Sequence, residues 1–288
     1  MLTVIPPVQM VSTALLDANM RDARQRTLEL FGDLDDQQII GPQLPIVNPM
    51  QWEVGHVAWF HEHFILQRTY ANKPLSEQAQ SVYDSIAIQH HQRWDLDLLT
   101  RQQTLDYMAR VEDAVLGRLH GQTANLVDSY LYQFTTYHED MHDEAFIWTR
   151  QTLGYPAPNL SVSRSPGAPT DANAGALPGD VQVPGGRFLL GAPGDAAFVF
   201  DNEKWCHSVE VAPFSIARAA VTNAEFAAFI DDGGYQREAL WDERGWRWRE
   251  RENAEHPVYW ERDGAGSWVI RGFDQRQALK PHRAAIHI

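Results

Sequence analysis

Residues 137–144, YHEDMHDE, contain two histidines in the pattern H-E-x-x-H. On a helix, His138 and His142 lie one turn apart on the same face, with Cβ atoms about 6 Å apart. Two imidazoles spaced in this way suit one metal ion. Because the chain has a single cysteine, Cys206, any metal site must be built from histidines and carboxylates.

The same pattern is found in zinc metalloproteases, in which the glutamate, here Glu139, is the general base and a third ligand follows. The extended protease motif requires Gly and His where this chain has Ala145 and Trp148. The other form takes its third ligand from a later helix, but this chain enters a predicted linker soon after Gly154. We therefore expect any third ligand upstream, and the protease hypothesis ranks last.

A candidate third ligand is His56, in the segment NPMQWEVGHVAWFHEHF of residues 48–64. Helical spacing places His56 on a face shared with Trp52, Trp59 and Phe60, which indicates that it points inward. A buried histidine is costly unless a backbone carbonyl or a metal satisfies it. Combined with the pair at 138 and 142, it favours a metal.

The remaining polar residues near these histidines receive lesser roles. His63 lies one heptad after the third ligand and is the reserve ligand, whereas His61 is predicted to lie on the surface. If the site is not a protease, Glu139 either bonds to a ligand or contacts the helix surface. Asp143 and Glu144 are interpreted as solvated or capping charges.

Helical patterns fill most of the chain from residue 10 to residue 154, where a glycine marks the predicted stop. Two helix starts carry capping boxes, Asn48 with Gln51 and Thr100 with Gln103. Another helix is predicted within SEQAQSVYDSIAIQHH, residues 76–91. Long amphipathic helices with short connections predict an antiparallel bundle.

Changes in composition divide the chain into three parts. Residues 1–155 form the predicted helical, metal-binding domain, and residues 156–180 form a linker rich in Pro, Gly, Ala and Ser. Residues 181–288 mix short strand patterns and loops with a helix capped by Thr222 and Glu225.

Bulk properties restrict the partners. The 288 residues carry a net charge of −14, which disfavours nucleic acid and anionic membrane surfaces. No run of 18 apolar residues predicts a membrane span, and the sequence MLTVIPPVQM lacks signal-peptide features. The single cysteine suits a reducing compartment, so we predict a cytoplasmic protein.

Three segments together resemble the EgtB-type sulfoxide synthases: NPMQWEVGHVAWFHEHF, YHEDMHDEAF and VPGGRFLLGA with the later HSVEVAPFSIARAAVTNAEFAAFIDDGGY. The segment YDSIAIQHHQRWDLDLLTRQQTLDYM is similar to the selenoneine synthase (SenA) branch. The resemblance covers nearly the whole chain. It implies an α+β multidomain fold, with an N-terminal DinB-like four-helix bundle and a C-terminal formylglycine-generating-enzyme-like (C-type-lectin-like) domain.

The resemblance also implies a reaction. The iron-binding histidines of the family correspond to His56, His138 and His142, which implies a non-haem Fe(II) enzyme that uses O2. Hercynine is the implied acceptor and a selenosugar the donor, with a C–Se bond formed at imidazole C2. The alternative is a thiol donor and a C–S bond, as in ergothioneine biosynthesis. Three neutral histidines leave about three metal positions open for such substrates.

Candidate substrate-binding residues lie in QHHQRWDL, residues 89–96. Arg93 matches the part of the family that lines the chalcogen-donor pocket, with a surface salt bridge as the alternative. Trp94 either packs the bundle or walls that pocket, and His90 is solvated or faces substrate. The tryptophans between residues 241 and 268 could cage a trimethylammonium group, although core packing is favoured there.

The second domain of the family normally continues well past residue 288, and its catalytic tyrosine lies in that later part. The resemblance therefore implies that the second domain is truncated here, and no catalytic residue is assigned. Two further hypotheses stay open, a DinB-type zinc thiol transferase that needs no O2 and a non-catalytic metal-binding module. Histidine ligands suit Zn, Fe and Cu alike.

Overall fold

The computed structural model of the protein describes residues 10–123, 125–161 and 175–288. These residues divide into two compact units. The first unit holds the described residues up to 161 together with Leu189–Ser208, and the second holds the remainder, ending in Val209–Ile288. Helices dominate the first unit and short strands the second, which confirms the predicted α+β class.

The first unit is built from five α-helices and one π-helical continuation of the second. They are α1 (Thr13–Phe31), α2 (Met50–His61) with the π-helix Glu62–Thr69, α3 (Glu77–Val82), α4 (Arg101–Leu119) and α5 (Leu126–Leu153). A 3₁₀ turn, His90–Trp94, lies between α3 and α4. The capping box of Thr100 with Gln103 and the left-handed Gly154 at the end of α5 are both confirmed.

The helices of this unit surround one apolar core. Helix α1 packs along α5, and α2 packs on α4. The fully buried side chains include Met20, Trp52, Tyr83, Tyr107 and Phe146. Burying aromatic and long aliphatic side chains of this size removes the most apolar surface from water, so this core holds the helix axes in place.

Two helix predictions are wrong in their bounds. Helix α2 begins one residue later than the predicted capping box requires, with Pro49 as the N-cap. The Asn48 side chain donates instead to Glu53 and accepts from Arg93. The helix predicted over residues 76–91 is limited to Glu77–Val82, because the chain then turns toward the core at the buried Tyr83.

The described residues from 175 onward form short strands and two α-helices. They are β1 (Asp180–Val183), β2 (Gly186–Leu190), β3 (His207–Val211), β4 (Phe214–Ala217), α6 (Asn223–Asp231), α7 (Glu243–Glu252), β5 (Trp260–Arg262), β6 (Trp268–Gly272) and β7 (Gln275–Ala278). The end of β2 and the start of β3 lie within Leu189–Ser208, which groups with the helical unit. The sheet orders are β1-β4, β2-β3 and β5-β6-β7. Strands β1 and β4 pair antiparallel, with Asp180 opposite Ala217. The predicted capping box of Thr222 with Glu225 begins α6.

The predicted domain boundaries at residues 155 and 180 stay a prediction, since much of the predicted linker, residues 162–174, lies outside the described residues. The grouping of Leu189–Ser208 with the helical unit is a feature that the sequence did not indicate. No helix among the described residues combines the length and apolarity needed to cross a bilayer.

Candidate metal centre

Three histidines converge between α2 and α5. His56 comes from α2, while His138 and His142 come from successive turns of α5. One ring nitrogen of each lies within 4.8 Å of the others. The ring centroids are 5.1 Å apart for His56 and His138, 5.0 Å for His56 and His142, and 4.7 Å for His138 and His142. The structure thus brings together the three predicted ligand residues.

His56 is held in one tautomer. Its Nδ1 lies 2.7 Å from the carbonyl oxygen of Tyr83, and a carbonyl only accepts, so Nδ1 carries the proton and Nε2 keeps its lone pair. Gly55 permits this approach, because a Cβ there would lie 2.1 Å from the Tyr83 ring. Burial, together with the nearby His142, lowers the pKa of His56 to about 3. The imidazole is therefore neutral and able to bind a cation.

His138 and His142 present unsatisfied nitrogen atoms. Within the described part of the chain, the buried Nδ1 atoms of both have no hydrogen-bond partner. Burial, reinforced by His142, lowers the pKa of His138 well below its usual range. The ring nitrogens of the three histidines that lie within 4.8 Å of one another are the lone pairs that a divalent cation with a preference for nitrogen ligands would bind. The residues present fit such an ion.

Aromatic rings cover the histidines. Phe60 stacks on His138 with ring centroids 3.5 Å apart and an interplanar angle of 5°. Trp52 stacks on His56 at 4.8 Å and 8°. These rings exclude water and lower the local dielectric, which strengthens electrostatic interactions at the cluster.

Arg93 lies on the far side of Trp52. Its guanidinium carbon is 3.8 Å from the Trp52 ring centroid, and one terminal nitrogen donates to Asn48 Oδ1 at 2.7 Å. Burial lowers the pKa of Arg93. The predicted substrate residue therefore lies one aromatic ring away from His56, and its role in binding substrate stays a prediction.

His90 and Trp94 lie on the same 3₁₀ turn as Arg93. His90 Nε2 is 2.7 Å from the carbonyl oxygen of Val47, and Trp94 Nε1 donates to the carbonyl of Gly41 at 3.1 Å. Both side chains are half-buried. These bonds fix the turn against the start of α2, and the predicted substrate roles stay predictions.

A buried ionic cluster lies behind the histidines. Glu139 is fully buried and accepts hydrogen bonds from Arg24 at 2.7 Å and from His61 at 2.8 Å. Burial alone would raise the pKa of Glu139, but the Arg24 charge and the His61 hydrogen bond lower it. Glu139 is therefore an ionised residue that ties α1, α2 and α5 together.

The prediction that His61 lies on the surface is wrong, since the side chain is 0% exposed. The prediction that Asp143 is a solvated or capping charge is also wrong. Asp143 Oδ1 lies 2.7 Å from the Thr27 hydroxyl, which also lies 2.9 Å from Glu139 Oε1. Because a hydroxyl has one proton to donate, Thr27 can donate a hydrogen bond to only one of these two carboxyl groups. Burial, reinforced by the Glu139 charge, raises the pKa of Asp143 to about 7.

Two remaining predictions concern residues outside the cluster. Glu144 is exposed, in agreement with a solvated charge. His63, the reserve ligand, stacks against Trp59 with ring centroids 4.8 Å apart and is not in the three-histidine group.

Sequence reasoning missed Arg24 and Thr27 as site residues. A signal was present, because the spacing in α1 places both on the face that carries Met20 and Leu30. A charged residue among core positions requires a buried partner.

Comparisons with known proteins identify both parts of the chain. The DinB superfamily model matches residues 19–145, which contain all three clustered histidines. The model described as a sulfatase-modifying factor enzyme 1-like domain matches residues 166–263. The chain is therefore a two-domain protein in which a DinB-type helical domain precedes a domain of the formylglycine-generating-enzyme kind, as predicted.

Several known proteins are similar to most of the chain or to a part of it. The hercynine oxygenase of Mycolicibacterium thermoresistibile is 33% identical over 255 residues, covering 87% of this chain and 56% of that protein. The hercynine oxygenase of Mycobacterium tuberculosis is 32% identical, covering 88% and 59%. A formylglycine-generating enzyme of Streptomyces coelicolor is 38% identical over 79 residues, covering 26% and 25%. The chain belongs to the EgtB-like family, and it spans under three fifths of the length of these hercynine oxygenases.

Proposed function

We propose that this protein modifies hercynine oxidatively, with a metal ion held by His56, His138 and His142. The observation that carries the proposal is the convergence of one buried and two half-buried imidazoles, with one ring nitrogen of each within 4.8 Å of the others, in a chain similar to hercynine oxygenases over most of its length. We further propose that the ion is Fe(II), that the co-substrate is O2 and that the donor is a selenosugar.

The residues of the chain prepare the site for a cation. The lowered pKa values of His56 and His138 keep both rings neutral at physiological pH, so no proton competes for their lone pairs. The Tyr83 carbonyl fixes the tautomer of His56. The ring of Trp52 excludes water from one side of His56, and the ring of Phe60 does so for His138. Three histidine ligands leave positions for both substrates, which supplies the orientation that a two-substrate coupling needs.

Iron bound here would supply the one-electron and O2 chemistry that the coupling requires. The proposed reaction joins the imidazole carbon C2 of hercynine to the chalcogen of the donor. The C–H and chalcogen–H bonds break, O2 takes up both hydrogens and four electrons, and the products are the chalcogen oxide and one water.

Support for selenium comes from the segment of residues 83–108, which is similar to the selenoneine synthase branch. This segment contains Arg93, whose guanidinium stacks on the Trp52 ring beside His56. A thiol donor, forming a C–S bond, is the alternative that a donor competition assay distinguishes.

The test is metal analysis of the full chain purified without oxygen. The wild-type protein should contain about one iron per chain, and hercynine should change the absorption spectrum of that iron. His138→Ala should lose the metal, whereas His91→Ala, which removes an exposed histidine, should retain it.

Stoichiometric metal in the His138→Ala variant would remove the proposal. Group transfer that persists without oxygen, in protein that holds zinc, would favour a thiol transferase instead. If the metal-loaded protein shows no change in its absorption spectrum when hercynine is added, a non-catalytic metal-binding module is favoured.

A further inference from the structure

Glu53 is a buried acid beside the histidine cluster. It lies on α2 one turn before His56 and is 2% exposed. Its Oε1 accepts a hydrogen bond from Asn48 Nδ2 at 2.6 Å and lies 3.7 Å from His142 Nδ1. Its Oε2 is buried and has no hydrogen-bond partner among the described residues. A buried carboxylate in this condition is costly, so its position calls for a physical reason.

A neighbouring unsatisfied group is of the complementary kind. His142 Nδ1 is also buried without a hydrogen-bond partner in the described part of the chain. An imidazole N–H donates and a carboxylate only accepts. The separation of 3.7 Å exceeds hydrogen-bonding distance by about 0.7 Å, which a small side-chain rotation removes.

We propose that Glu53 positions His142 for metal binding, by accepting a hydrogen bond from its Nδ1–H. This bond fixes the tautomer that leaves the Nε2 lone pair free for the ion, and it increases the basicity of the ring. The inference rests on the proposed function, since it takes His142 to be a ligand. His56 is held in the same way, by the Tyr83 carbonyl at its Nδ1.

The surroundings hold Glu53 in place for this role. Asn48 donates to Glu53 with its amide nitrogen, and its amide oxygen accepts from Arg93 at 2.7 Å. The guanidinium of Arg93 in turn stacks on Trp52. A chain of contacts therefore runs from Arg93 through Asn48 and Glu53 to His142.

A direct bond from Glu53 to the ion fits the geometry less well. The donor atoms that lie within 4.8 Å of one another belong to the three histidines, and Glu53 is not among them. Its closest contact in the cluster is the Nδ1 of His142. Glu53 is thus a positioning residue, which acts on the metal through the imidazole.

The test is Co(II) binding to the full-length, chelator-treated protein, measured by competition and by visible absorption. Glu53→Ala should weaken Co(II) binding about 10- to 100-fold and change the ligand-field bands, because His142 loses its orientation. Glu53→Gln should lose less Co(II) affinity than Glu53→Ala, since an amide oxygen still accepts a hydrogen bond. Gln51→Ala, which removes another buried side chain from α2, should bind as the wild type does.

Binding by Glu53→Ala within twofold of wild type, with an unchanged spectrum, would overturn the inference. So would an equal loss in Gln51→Ala, since the effect would then be general damage to α2. If Glu53→Ala does not fold, as judged by circular dichroism, Glu53→Gln decides alone: an unchanged affinity and spectrum overturn the inference.

His142→Ala separates this inference from the proposed function. Wild-type Co(II) affinity in that variant would mean that the proposed metal site is wrong. Loss of Co(II) by His142→Ala together with wild-type binding by the Glu53 variants would leave the site intact and remove only the role of Glu53.

Discussion

The two units of the chain differ in how they hold their side chains. In the helical unit, large residues such as Trp52, Tyr107 and Phe146 are no more than 1% exposed. In the second unit, every residue of β4 (Phe214–Ala217) is exposed. Of the largest side chains that are fully buried among the described residues, only Tyr235 and Trp260 lie in this unit. The candidate metal ligands lie in the unit with the dense core. Close packing on regular helices fixes side-chain positions to the accuracy that a metal site needs.

Disrupting the buried ionic cluster around Glu139 should cause the largest loss of stability. Glu139→Ala leaves Arg24 and His61 buried without their acceptor, and it should destabilise the helical unit by about 3–5 kcal/mol. Hydrogen exchange resolved by peptide should show lost protection in α1, α2 and α5, with little change over residues 214–288. The control is Glu144→Gln, an exposed position on α5, which should change stability by less than about 0.5 kcal/mol. Equal effects of the two substitutions would contradict the assigned role of the cluster.

A matched pair of phenylalanines compares the two units directly. Phe146 is 0% exposed in the helical unit, and Phe214 is 44% exposed in the second. Phe146→Ala should cost about 3–5 kcal/mol of unfolding free energy, while Phe214→Ala should cost about 0.5 kcal/mol or less. Urea unfolding of each variant measures both values. A large cost at Phe214 would show that β4 contributes more packing than its exposure indicates.

The metal-free helical unit should lose stability as the pH falls from 6.5 to 5. The folded-state pKa values of His56 and His138 lie below the ordinary 6.5, so in this range the unfolded chain binds protons that the folded chain does not. The partly buried His63 acts in the same direction. Asp143 acts oppositely, because its folded-state pKa of about 7 exceeds its ordinary 3.8. The net difference is below one proton near pH 6.5 and rises to one or two protons near pH 5, where it corresponds to a slope of about 1.4–2.7 kcal/mol per pH unit.

Urea unfolding of chelator-treated protein, followed by the helical circular dichroism signal, measures this slope. Asp143→Asn removes the opposing proton and should make the slope steeper. An unchanged slope in that variant would mean that Asp143 is ionised throughout the range.

Removing a helix cap should have the smallest effect on the free energy of unfolding, and the effect should be similar in both units. Thr100 begins α4 and Thr222 begins α6, each in a capping box. Alanine at either position should cost about 1 kcal/mol, because one backbone N–H of the first turn loses its acceptor. A much larger cost at Thr222 in urea unfolding would show that α6 depends more on its cap than α4 does.

The sequence predicted well those features that depend on local spacing. The histidines at positions 138 and 142 fall on one helix face because they are four residues apart, and the aromatic neighbours of His56 indicated an inward side chain. The cap at Thr100 and the stop at Gly154 follow from short-range backbone chemistry in the same way. The two-domain class and the EgtB-like family were also predicted from motifs and are confirmed by the comparisons.

Features that depend on contacts distant in sequence were not predicted. His61 was assigned to the surface because its partner, Glu139, lies 78 positions away and no local pattern links the two. Asn48 was assigned as a cap because its competing contact with Arg93, 45 positions later, is not visible in the local sequence. Strand pairing shows the same limit. The adjacent strand patterns at β1 and β2 do not pair with each other, and each pairs with a later strand.

The i→i+5 turns at Glu62–Thr69 bear on how chain length can vary in relatives of this protein. A π turn holds one residue more than an α turn, so deletion of a single residue there can restore an ordinary α-helix and leave the upstream histidine in place. A deletion between His138 and His142 would instead rotate one imidazole by about 100° relative to the other. Loss of one residue is thus compatible with the π-helical segment Glu62–Thr69, whereas the spacing of His138 and His142 on α5 must stay constant.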